Sequence, residues 1–94
     1  MMEITYKLKS GYQIQDVANE KVLMVGMGNH INLSKMIILN ETATVLIDLL
    51  SQKAVTLNQL IECLTSQYNV TRAQAQADVE QLLNQLDELR VLQD

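Results

Sequence analysis

The hydrophobic pattern changes period partway along the chain. As far as Leu39 the apolar residues come in alternations and short runs, as in β-strands, and from Ala43 onward they recur every three or four residues, as in helices. Ile4-Thr5-Tyr6-Lys7-Leu8 alternates and stops at Gly11, so residues 1–11 read as a weak strand or extended N-terminal arm. The alternation resumes at Tyr12-Gln13-Ile14-Gln15 and slips at Asp16-Val17, as a β-bulge would cause. Ala18-Asn19-Glu20 is a tight turn and Lys21-Val22-Leu23-Met24-Val25 the returning strand, which predicts a β-hairpin over residues 12–27. Gly26-Met27-Gly28-Asn29 reads as a flexible break. His30 to Ser34 is then a further short strand or an extended lead into Met36–Leu39.

The chain is organised around Met36-Ile37-Ile38-Leu39-Asn40-Glu41-Thr42-Ala43. Four apolar residues predict a strand. Asn40 then suits a helix N-cap, since its side-chain oxygen can accept an unpaired amide of the first turn. Glu41 sits where the positive end of the helix dipole favours a carboxylate. The strand lacks the polar alternation of an outer strand with one wet face. Either helices cover both of its faces or something else docks beside it.

Three helices follow. Ala43, Leu46, Ile47 and Leu50 share one helical face, and Leu57, Leu60, Ile61 and Leu64 repeat the spacing. Ala75, Val79, Leu82, Leu86 and Leu89 mark a longer third helix, with Leu83 widening its stripe. Thr56 with Gln59, and Thr71 with Gln74, predict two capping boxes. Strands followed by helices define an α+β chain, read as a single domain over residues 1–94.

Composition narrows what this domain can do. Its 94 residues suit one modest core, and that core is aliphatic, because Phe and Trp are absent. A net charge of −4 argues against a nucleic-acid binder, which needs a basic face. The N-terminus carries no signal-peptide pattern and no apolar run approaches membrane-spanning length, so a cytoplasmic location is expected. Cys63 is the sole cysteine, which excludes an intrachain disulfide.

Catalytic chemistry finds little support. His30, the only histidine, stands beside a Gly/Asn turn without a chemical partner, and a surface or turn role is expected for it. Cys63 lies between Ile61 and Leu64 as a small hydrophobe, with no nearby cations to make a thiolate. Metal-ligand spacing is absent, and Gly26-Met27-Gly28 lacks the lysine of a phosphate loop, so no metal or cofactor is expected. Asp78, Glu80, Asp87 and Glu88 read first as a solvated helix face and second as contacts for a basic partner. Met24, Met27 and Met36 fill core space or give an adaptable binding surface. The apolar strand is the exception to this bland background. With only Lys35 to blunt its edge, an added peptide strand would satisfy its free backbone groups.

Leu39-Asn40-Glu41-Thr42-Ala43 resembles the signature of the PqqD family, and Tyr68-Asn69-Val70, Asp78-Val79, Leu86 and Val91-Leu92 match its helical half, over roughly residues 12–92. The resemblance implies a winged-helix-like fold with a three-stranded antiparallel sheet and three helices. It also implies a non-catalytic recognition element for ribosomally made, post-translationally modified peptides. In such elements the leader of the precursor peptide adds a strand beside the third strand and lies against the third helix, and a modifying enzyme, often a radical S-adenosylmethionine protein, receives it. Carried over by position, the peptide-binding residues are Lys35, Met36, Ile37, Ile38 and Leu39 with Arg72, Ala75, Gln76, Val79, Glu80 and Leu83. Two departures stand out. The segment from Gly26 to Lys35 is longer than the family's short turn, and Arg90 replaces the usual glycine near the end of the third helix, so that helix is expected to run on.

Two other classes compete with a peptide chaperone that is a monomer or weak homodimer. A winged-helix DNA-binding regulator is opposed by a third helix with only Arg72 and Arg90 against several carboxylates. A small structural or assembly subunit would use the same edge strand to dimerise.

Overall fold

The structure, a computed structural model, describes residues 4–9, 12–27 and 30–93. Its elements in order are β1 (Thr5–Tyr6), β2 (Tyr12–Val17), β3 (Glu20–Met27), β4 (His30–Leu39), α1 (Glu41–Gln52), β5 (Val55–Thr56), α2 (Leu57–Gln67) and α3 (Arg72–Glu88). An antiparallel sheet in the order β2-β3-β4 is followed by three helices, an α+β, winged-helix-like arrangement.

The hairpin closes through Ala18 and Asn19, both left-handed at φ 51° and 70°. Two consecutive left-handed residues match the right-handed twist of the flanking strands, so Glu20 is already paired. The register from Tyr12↔Val25 to Val17↔Glu20 is unbroken, which corrects the bulge expected at Asp16-Val17. Ile14 through Val17 are all exposed, so no burial pattern constrains that end of the strand, and the alternation slips for that reason. The irregularity lies between Met24 and Gly26, where β3 meets β4. Gly26 and Met27 finish β3 rather than breaking it, while Gly28 and Asn29 lie outside the described residues. His30 through Leu39 form one continuous strand, which settles the two readings of that segment.

The helices lie on one face of the sheet. Leu23, Ile37 and Leu39 point into the core, together with Leu46, Ile47, Leu50, Leu60, Ile61, Leu64, Ala75, Val79 and Leu86. Val22 and Met24, which alternate to the other face, are buried outside that cluster. The N-terminal arm ties the helices together. β1 pairs with β5, Leu8 bridges Leu92, and Leu8 N–H donates to Leu50 O at 3.1 Å. Lys9 N–H reaches Val91 O and Gln93 N–H reaches Lys7 O, each at 2.8 Å.

Local sequence sets the helix starts. Ala43 N–H donates to Asn40 Oδ1 at 2.8 Å, the expected N-cap, so β4 passes into α1 through one residue. Thr56 and Gln59 form the full capping box. At α3 only half of the expected box forms. Thr71 accepts Gln74 N–H, but the Gln74 amide turns forward to Asp78 Oδ1 at 3.0 Å instead of back to Thr71.

The third helix does not run on. It stops at Glu88, with Arg90 left-handed at φ 60°, Val91 N–H donating to Leu86 O and Arg90 N–H to Asp87 O. This is a Schellman ending with arginine in the glycine position, held because Val91 is buried against the core. A side chain in this conformation costs about 1 kcal/mol that glycine avoids. Arg90→Gly should therefore raise stability by roughly 1 kcal/mol, read as a higher urea midpoint at unchanged slope. A lower midpoint would mean that the arginine side chain contributes more than its backbone costs.

A candidate peptide-binding groove beside the open strand

β4 pairs with β3 along one edge, and no described strand occupies the other. Within β4 the side chains alternate: Ile37 and Leu39 are buried, while Met36 is 41% and Ile38 61% exposed. The helices thus cover only one face of the apolar strand, and the second is left to solvent. A groove opens between this strand and α3. Ile37, Ile38, Ala43, Leu46 and Leu82 make its apolar part, and Asn40, Thr42, Asp78, Gln81 and Gln85 its polar part. Asn40 closes one end as the α1 cap, and its Oδ1 also accepts the Thr42 hydroxyl at 3.0 Å. Asp78 accepts from Gln74, and among the described residues no lysine or arginine lines the groove. A second hollow, lined in part by Lys21, Glu41, Val45 and Tyr68, adjoins the first at Ile38. Burial holds the Tyr68 phenol above its usual range, helped by the negative charge of Glu41.

The groove brings together Ile37 and Ile38 of the expected set, with Met36 and Leu39 beside them on the same strand. The side chain of Lys35 lies outside the described residues. None of the six expected α3 residues lines it. Ala75 and Val79 are wholly buried in the core, and Leu83 is 7% exposed on the far side of it. Arg72 donates to Asn58 Oδ1 of α2, and Gln76 donates to Glu80 Oε1 at the surface. At about 100° per residue, Asp78, Gln81, Leu82 and Gln85 form one flank of α3, while Glu80, Leu83, Asn84 and Asp87 form the opposite one. Sequence reasoning passed over Gln81 and Gln85. The available signal was their i, i+3, i+7 relation to Asp78, a polar stripe interrupted by one leucine at i+4.

The side chain of His30 lies outside the described residues, and Cys63 shows no sign of reactivity. Cys63 is half-buried, accepts the Gln67 amide at 3.4 Å, and has its thiol pKa pushed up by burial, which suppresses thiolate. Among the described residues no cluster of three or more His, Cys, Asp or Glu is placed to hold a metal ion. No helix there is long and apolar enough to cross a membrane.

Fold and groove together define a winged-helix-like domain with one open sheet edge facing a helix. Comparison with known proteins agrees: the family described as "Coenzyme PQQ synthesis protein D (PqqD)" matches residues 17–92, and the chain belongs to the PqqD family. A solved structure described as "Lasso peptide synthetase B1 complexed with the leader peptide" is similar over 95% of this chain and 98% of that one. The two share 22% identity and superpose with a TM-score of 0.69. No curated protein matches the chain.

Proposed function

We propose that this protein is a non-catalytic, cytoplasmic module that captures the leader of a ribosomally made precursor peptide and presents it to a modifying enzyme, such as a radical S-adenosylmethionine protein. The observation that carries this reading is the unpaired edge of β4 facing the α3 groove. An extended peptide beside Lys35–Leu39 satisfies the free backbone groups, and its side chains on one face fill the groove over Ile37, Ile38 and Leu82. The α3 contacts in this reading are Asp78, Gln81, Leu82 and Gln85, in place of the flank bearing Arg72, Gln76, Glu80 and Leu83. Family membership supports the reading, as does the likeness to a lasso peptide synthetase subunit described as bound to its leader. The DNA-binding alternative fares worse, because each exposed flank of α3 carries carboxylates, Asp78 on one and Glu80 with Asp87 on the other, so either flank would repel phosphates.

Hydrogen–deuterium exchange with synthetic leaders, taken from precursor-peptide genes sought in the neighbourhood of this chain's gene, tests the proposal. Backbone amides of residues 35–39 should gain protection on addition of leader, while those of the other edge strand, β2, should not. Equal protection of both edges, or protection of β4 that grows with protein concentration in the absence of leader, would sink it. The second outcome would favour dimerisation through the edge.

A further inference from the structure

We infer that the flank of α3 opposite the groove docks the modifying enzyme, through an apolar protrusion of that enzyme set within a basic rim. The enzyme's identity rests on the leader-binding reading, whereas the surface and its chemistry do not. Two adjoining hollows there share Tyr6 and Leu57, and Leu83 and Leu92 complete their apolar floor. Ile4, 73% exposed, projects beside them from the N-terminal arm. The carboxylates of Glu80 and Asp87 stand on the rim.

Charge gives the partner its sign. Among the described residues neither lysine nor arginine lines these hollows, and the nearby guanidinium of Arg72 is engaged with Asn58. Among the described residues the one ion pair is Lys21–Asp16, in the hairpin, so no α3 carboxylate takes part in a described ion pair. Asp87 also sits in the last turn of α3, which contains no basic residue. The helix dipole is negative at that end, Arg90 just beyond it makes no described ion pair with Asp87, and a partner's cation would offset the dipole and the rim together.

Geometry gives the division of labour. The groove and these hollows occupy opposite flanks of one helix, with Val79 and Leu86 packed into the core between them. Leader and enzyme can therefore be held at once, which presentation demands.

The test measures binding of a purified modifying enzyme, sought among the products of the neighbouring genes, and separately of the leader, to the intact protein. Asn84→Lys with Asp87→Lys reverses the rim at two exposed positions. This variant should melt above the parent, bind the enzyme at least tenfold more weakly, and bind the leader as the parent does. Enzyme affinity of the parent should also fall with added salt. Unchanged enzyme affinity in the double variant, or no binding of the enzyme to the parent, would overturn the inference. If the leader fails to bind while enzyme binding still responds to the double variant, the leader reading fails and the docking surface stands.

Discussion

Val79→Glu should unfold the protein. Val79 is wholly buried in the core, and the described residues include no buried polar or charged partner for a carboxylate. An unpaired buried charge costs several kcal/mol, and protonating it still leaves an unsatisfied carboxyl group. The longer side chain adds an overpacking cost of about 1–3 kcal/mol. A chain of this length has a net stability of roughly 5–14 kcal/mol, so a loss of about 4–6 kcal/mol removes from about a third of it to all of it. At ~4–8 °C per kcal/mol, circular dichroism should show the melt at least about 16 °C lower, or no cooperative melt. Gln81→Glu places the same side chain two residues along, on the exposed groove flank, and should melt with the parent. If the two variants melted alike, the rotation of α3 described here would be wrong. Val79→Glu is therefore a probe of folding and no probe of the groove.

Ile38→Asp should abolish tight leader binding without unfolding the chain. Ile38 is 61% exposed and lines both the groove and the adjoining hollow, so a docked strand would bury it against its own side chains. An aspartate there adds a charge to a groove whose described lining holds Asp78 and neither lysine nor arginine, and Lys21 of the adjoining hollow is already paired with Asp16. Losing one apolar contact and desolvating one carboxylate should weaken binding at least tenfold, which is about 1.4 kcal/mol. Ile4→Asp makes the same exchange at the other strongly exposed isoleucine, on the far flank, and should leave leader affinity unchanged. Calorimetric titration of the leader against both variants, each checked for its melt, reads the contrast. Leader affinity that survives Ile38→Asp would remove β4 from the binding surface.

Much of this architecture is legible from residue order, because its causes are local. Asn40 and Thr56 start helices through hydrogen bonds that reach three residues along. The turn at Ala18-Asn19 closes within two residues, and the helix stripes need only a period of 3.6. The PqqD resemblance rests on the same stretch, from β4 into α1, where strand, cap and helix are contiguous.

The rest depended on neighbours distant in sequence. Periodicity states which α3 residues share a flank, but not how far the helix is turned against β4, so the contacts carried over by position fell on the core and the far flank. That rotation is set by α1, α2 and the arm, which bury Ala75, Val79 and Leu86 and leave Asp78, Gln81 and Gln85 toward the strand. Likewise Arg90 gives no sign of a helix end by itself. It takes a left-handed conformation because Val91 must reach the core and Leu92 must meet Leu8. Four apolar residues in β4 left open whether helices cover both of its faces or something else docks beside it. The tertiary structure covered only one face, because the three helices all pack on the face of the sheet that carries Leu23, Ile37 and Leu39.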